Sequence, residues 1–143
     1  MAVIIKDNAV VLFQGDSITD AGRNREDGND LSVRGFVMMT AALFSSLYPE
    51  KRVKFLNRGI GGDKISDLRS RWQKDCIDLK PDWVSILVGI NDCYRRFNEN
   101  RPVTTEEFEE DYRFIIAETR QKCNAGIILC EPFLIPSDEE KAK

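Results

Sequence analysis

The chain reads Ala9-Val10-Val11-Leu12-Phe13-Gln14-Gly15-Asp16-Ser17-Ile18-Thr19, five apolar residues that lead straight into a polar turn. A continuous apolar run, rather than an alternating one, marks a strand whose sheet is covered on both faces. Three further short apolar runs follow, at residues 53–56, 83–88 and 126–130. Three of the four are continuous and rich in Val and Ile.

Between the strands lie segments of helical periodicity. Residues 34–47 are nearly all apolar or small and stop ahead of Pro49, which disfavours helix in the residue before it. Ile65, Leu68, Trp72, Cys76 and Leu79 recur at spacings of three and four, which places them on one helix face until Pro81 closes the segment. The third segment opens at Thr104, which with Glu107 has capping-box spacing. Phe108, Tyr112, Ile115 and Ile116 give it a buried stripe. The order strand, helix, strand, helix, strand, helix, strand leaves each crossover long enough for parallel pairing. Right-handed crossovers then predict an α/β fold, a three-layer α/β/α sandwich in one domain. Residues 20–30 form the longest irregular piece, strongly charged, and residues 137–143 read as a frayed polar tail.

Bulk properties exclude several classes. The 143 residues suffice for one core, and 42% apolar with 31% charged residues is ordinary for a folded chain. A net charge of -3 gives no footprint for nucleic acid. No signal-peptide pattern and no run near the roughly 18 apolar residues of a membrane span is present, so no membrane partner is expected. Cys76, Cys93, Cys123 and Cys130 are widely spaced and form no CxxC. They read as free thiols of a reducing, cytoplasmic compartment, and with no histidine no metal site is expected.

Ligands of open parallel sheets bind beyond the carboxyl ends of the strands. Three glycine-bearing polar clusters fall there: Gly15-Asp16-Ser17-Ile18-Thr19, Asn57-Arg58-Gly59-Ile60-Gly61-Gly62-Asp63 and Gly89-Ile90-Asn91-Asp92. Ser17, just past a strand, is a candidate nucleophile, although a serine hydroxyl needs an adjacent base. Its own N–H, the Gly62 N–H and the Asn91 amide are candidate donors to a developing oxyanion. Asp16 is suited to accept local backbone N–H groups and shape the turn. Each cluster also has a bland reading. Gly-Asp-Ser alone is usually a turn, Asn91-Asp92 a turn or helix cap, and the glycine cluster a loop leading into a helix. The glycine cluster fits neither GxGxxG nor Walker A, so it does not read as a phosphate cradle. Cys93 has no histidine to activate it.

Taken in order, the three clusters resemble the blocks of the SGNH, or GDSL-type, hydrolase superfamily, over essentially the whole chain. The resemblance implies a flavodoxin-like parallel sheet and ester hydrolysis through an acyl-enzyme without metal or organic cofactor. It implies Ser17 as nucleophile, with Ser17 N–H, Gly62 N–H and the Asn91 side chain as oxyanion hole, and Asp16 and Asp92 in support. Gly15-Asp16-Ser17-Ile18-Thr19-Asp20-Ala21-Gly22-Arg23, Lys80-Pro81-Asp82-Trp83-Val84-Ser85-Ile86 and Gly126-Ile127-Ile128-Leu129 are further similar to intracellular bacterial acetylesterases that act on xylo-oligosaccharides. The implied partner is a small ester, such as an acetylated oligosaccharide.

One departure stands out. The family's last block, Asp-x-x-His, supplies the base and its orienting carboxylate, whereas this sequence contains no histidine. The resemblance therefore implies that residues 1–143 are the N-terminal two-thirds of a family domain, without its last strand and closing helix, and inactive alone. A fragment, a pseudo-enzyme that keeps the cleft as a binding module, or a second chain supplying the base would each account for this. Residues 126–130 would then form an uncovered sheet edge, and self-association is expected.

Overall fold

The structure is a computed structural model that describes residues 3–95 and 103–133. The polar tail at 137–143 lies outside the described residues. Four strands, β1 (Val10–Gly15), β2 (Lys54–Asn57), β3 (Trp83–Leu87) and β4 (Gly126–Cys130), pair in parallel in the order β2-β1-β3-β4. Chain order reverses direction on either side of β1, so a topological switch point lies between the carboxyl ends of β1 and β3. The expected α/β architecture is the one observed.

Helices α2 (Gly35–Leu47), α3 (Ile65–Asp75) and α5 (Thr105–Cys123) form the crossovers. Two short helices follow strands directly, α1 (Ser17–Asp20) after β1 and α4 (Ile90–Arg95) after β3. Neither shows in hydrophobic periodicity, since each is too short to carry a stripe. Strand β1 also runs two residues further than its apolar run suggests, through Gln14 and Gly15. Gln14 is buried there because Arg71 and the backbone of Asp75 satisfy its amide. Residue 20 ends α1 rather than opening the irregular segment.

The two sheet faces are unequally covered. Leu12, Val84 and Ile86 pack with Leu56, Ile65, Leu68, Trp72 and Ile115 under α3 and α5. Trp72 is 1% exposed, and its indole N–H donates to Thr119 Oγ1 at 3.0 Å. The Thr119 hydroxyl in turn donates to the Ile115 carbonyl at 2.7 Å, so the threonine extends the buried stripe that Phe108 begins. The α5 capping box forms as its spacing predicts, with Glu107 N–H donating to the Thr104 hydroxyl and Thr104 N–H to the Glu107 carboxylate.

The opposite face has a smaller cluster, Val11, Phe13 and Val37 with Phe36, Phe55 and Trp83. Only two residues of α2 are buried, Val37 and Ala41. Met39, Leu43 and Leu47, spaced by four, are 60–67% exposed along its outer side. Strand β4 lies at the sheet edge, with Ile128 47% and Leu129 54% exposed on its two faces.

Replacing Trp72 by Phe removes a ring and leaves Thr119 without its donor. The expected cost is about 2–3 kcal/mol. It should appear as a lower urea midpoint at unchanged m-value.

Candidate active site

The site is built on three loops at the carboxyl edge of the sheet. Ser17 is the first residue of α1 and is exposed, immediately after the fully enclosed Asp16. Asp16 Oδ1 accepts the Ile18 N–H at 3.0 Å, which fixes the turn that presents Ser17. Its other carboxylate oxygen, Oδ2, is buried with no hydrogen-bond partner, and burial pushes its pKa above the ordinary carboxylate value.

The loop after β2 lies against this turn. Arg58 N–H donates to Phe13 O and Ile60 N–H to Gly15 O, which carries the β1 ladder past the end of β2. A Cβ at Gly59 would stand 2.4 Å from Asp20 N and 2.7 Å from Thr19 C, so only glycine permits this approach. Beyond it, Gly62 has a φ of 92°, a conformation that side chains disfavour. A Cβ at Gly61 would lie 3.7 Å from Ser17 Cβ, which locates this loop beside the serine.

The third cluster braces the same loop from the other side. Asn91 Nδ2 donates to the Asp63 carbonyl at 2.9 Å, and an amide nitrogen carries a second N–H besides. Both oxygens of Asp92 accept the Ile65 N–H at 3.2 Å. Asp92 therefore caps α3 from across the sheet edge, where the helix has an orphan donor and positive dipole end. Burial nevertheless raises its pKa to about 6, with the Ile65 hydrogen bond opposing the rise. Ser17, Gly62 and Asn91 thus lie on three adjoining loops, with residues 61–63 between the other two.

Several residues of the site have no motif to announce them. Asn57 is fully buried; its Nδ2 donates to Thr19 O at 2.7 Å and its Oδ1 accepts Gly59 N–H at 2.9 Å. Arg23, 8% exposed, donates through Nε to Gly59 O. Arg71 bridges Asp63 and Asp75 at 2.9 and 3.1 Å, anchoring the residue whose carbonyl Asn91 holds. Asp63 itself is raised by burial, with Arg71 opposing. The one sequence signal for this set is polarity at the end of an otherwise apolar strand, at Gln14 and Asn57. Among the described residues, no three His, Cys, Asp or Glu side chains assemble into a metal-binding group. No described helix is long and apolar enough to cross a membrane. Buried Cys76 has its thiol pushed up to about 12, while Cys93 is exposed and all four cysteines are free.

The Asp92 environment makes stability depend on pH. A carboxyl that titrates near 6 when folded and near 3.8 when unfolded favours the native state fully below the lower value. That contribution is lost as pH rises through the folded value. Asn retains an acceptor for Ile65 N–H without the buried charge. Asp92→Asn is therefore expected to match wild type near pH 4 and to exceed its stability by ~1–2 kcal/mol at pH 7. Urea unfolding at the two pH values checks this, and a variant less stable at both contradicts it.

Comparison with known proteins agrees with this geometry. The profile of the GDSL-like lipase/acylhydrolase family matches residues 13–142. An acetylxylan esterase of Geobacillus stearothermophilus is 39% identical over 137 residues, which is 91% of this chain and 62% of that protein. A solved histidine-to-alanine catalytic mutant of Axe2, an acetylxylan esterase of the same organism, superposes with a TM-score of 0.87 at 38% identity. The match covers 96% of this chain and 66% of that one. A GDSL-like lipase from Parabacteroides merdae superposes with a TM-score of 0.89 at 37% identity, covering 96% and 67%. The chain thus spans about three-fifths of the length of its acetylxylan esterase relative. With three glycine-bearing loops at one sheet edge and a family profile matched almost end to end, this chain belongs to the GDSL-like lipase/acylhydrolase family.

Proposed function

We propose that this chain carries the nucleophile and oxyanion hole of a carboxylic-ester hydrolase that acts on small esters, acetylated sugars foremost. The observation that supports this reading is one loop, residues 61–63, that meets Ser17 on one side and the Asn91 amide on the other. In the reaction, a base deprotonates Ser17 as its oxygen attacks the ester carbonyl. The negative charge that develops on the carbonyl oxygen is met by the N–H groups of Ser17 and Gly62 and by Asn91 Nδ2. Such fixed donors need no reorganisation as the charge appears. The alcohol leaves with a proton from the base, and water then releases the acid by the same steps in reverse roles.

The base is not within residues 1–143, because the sequence has no histidine. Solved catalytic mutants of the acetylxylan esterase Axe2 replace a serine, an aspartate and a histidine in turn. Of those three residue types, Ser17 supplies the first here, and an Asp-x-x-His block outside these residues would supply the others. The 143 residues alone are accordingly inert or nearly so. Likeness to Axe2, an acetyl-xylooligosaccharide esterase, favours acetyl groups on xylo-oligosaccharides as the substrate. With free thiols throughout, we assign the protein to the cytoplasm. The absent histidine equally favours a second reading, a binding module that keeps the ester-site cleft without turnover.

A fluorophosphonate probe distinguishes them. The natural gene, expressed through its own stop codon, should give a product labelled at Ser17, and Ser17→Ala should abolish the label. The 143-residue chain should label slower by roughly three orders of magnitude. Equal labelling of wild type and Ser17→Ala sinks the assignment. A stop directly after codon 143 with no labelling favours the module.

The β4 edge, which no other strand covers among the described residues, and the apolar α2 stripe support self-association of residues 1–143. Light scattering should show mass rising with concentration, and Ile128→Lys should suppress the rise. A clean monomer at high concentration contradicts it.

A further inference from the structure

Asp20 ends α1 and holds both the glycine loop and the charged segment that follows the helix. Its side chain is 6% exposed. Oδ2 accepts the Gly61 N–H at 2.8 Å, the Arg25 Nε at 3.1 Å and, in a very short contact, Arg25 Nη2. Oδ1 accepts the Arg23 N–H at 3.2 Å. Burial alone would raise its pKa, but the Arg25 and Gly61 hydrogen bonds outweigh burial and hold it below the usual carboxylate range. A Cβ built at Gly61 would stand 3.4 Å from Arg25 Nη2, 3.6 Å from Asp20 Oδ2 and 3.7 Å from Ser17 Cβ. The ion pair, the glycine and the nucleophile therefore share one small volume.

The consequence follows from glycine's freedom. Between the Gly61 N–H and the Gly62 N–H lie only the two backbone rotations of Gly61, which has no side chain to limit them. A hydrogen bond that fixes the Gly61 N–H removes part of the freedom through which the Gly62 amide would otherwise turn. A charge-assisted hydrogen bond from the Gly61 N–H to a carboxylate that is itself held by Arg25 is a strong restraint at that point.

We propose that Asp20 is a positioning residue that fixes the direction of the Gly61 and Gly62 amides, with Arg25 holding its carboxylate in place. This rests on the reading of Gly62 N–H as an oxyanion donor. Asp20 touches no reacting atom; it acts through the loop. Its competitor is a purely structural role, in which Asp20 only fastens the charged segment after α1 to the sheet.

The experiment is amide NMR on the 15N-labelled product of the natural gene, expressed through its own stop codon, comparing wild type, Asp20→Ala and Asp20→Asn. In Asp20→Ala the Gly61 amide should exchange with solvent about 10-fold faster or more. The Gly62 signal should move, and the β1 and β3 amides should keep their protection. Asp20→Asn keeps an acceptor oxygen and should restore most of the Gly61 protection. In wild type the Gly61 amide shift should follow a single titration with its midpoint below the ordinary carboxylate range. That last measurement decides the question if Asp20→Ala does not fold. Unchanged Gly61 exchange and Gly62 shift in a folded Asp20→Ala overturn the proposal. So does an equal loss of protection throughout β1 and β3, or a wild-type Gly61 amide that does not titrate. None of these readings involves Ser17 chemistry. A failed phosphonylation experiment would remove the oxyanion reading while leaving the result at Gly61 intact.

Discussion

The Asn57 amide is the constraint on which this edge of the molecule depends. It is fully buried, so each of its polar atoms must find a partner inside the protein. The partners are backbone groups of two different loops, Thr19 O and, more distantly, Leu31 O on one and Gly59 N–H on the other. Only one relative placement of these segments satisfies all of them. The turn bearing Ser17 and the loop bearing Gly62 are thereby set against each other by a side chain that bonds Thr19 in the first and Gly59 in the second. A hydrophobic residue at 57 would pack at the strand end but leave Thr19 O and Gly59 N–H without this partner, at the cost of burying them unpaired.

A second set of bonds does the same from β3. Asn91 and Asp92 are neighbours in sequence, yet they hold different parts of one segment, the Asp63 carbonyl and the Ile65 N–H. The glycine loop is thus gripped at both ends of a short stretch, between the β1 turn and α4. This leaves the orientation of the loop's amides governed by side chains rather than by regular secondary structure, as the role proposed for the Gly62 N–H requires. The raised pKa of Asp92 marks the tension in that arrangement, a carboxylate placed where a helix end welcomes charge but burial does not.

The fold was readable because its signals are strong and local. Continuous apolar runs, the stripe from Ile65 to Leu79 and the Thr104–Glu107 cap each depend on a few neighbouring residues. The four strands lie where the runs lie, within two residues at each end. Short helices α1 and α4 escaped because each is too short to carry a hydrophobic stripe. The three glycine-bearing clusters were also readable, since the carboxyl edge of a parallel sheet is a predictable place. The residues that orient them were not. Asn57, Asp20 and Arg23 act on backbone atoms 36 to 41 positions away and Arg71 on side chains from other elements, and nothing in their own neighbourhoods states those distances. The unequal covering of the sheet was legible only in part, because α2 is apolar all round while burying just Val37 and Ala41.

The parallel sheet has a kinetic consequence. Every strand pair here is made across a long crossover, and the bonds that shape the site are also distant in sequence, 28 positions from Asn91 to Asp63, 38 from Asn57 to Thr19 and 41 from Gly61 to Asp20. Such contacts form only after the entropy of closing the intervening loops has been met. Helices α3 and α5 can nucleate from local contacts, but the edge that holds Ser17 has no local route to its geometry. The site is therefore among the last parts of the protein to assemble and among the first to be lost when β1, β2 and β3 loosen their register, well before helical content declines.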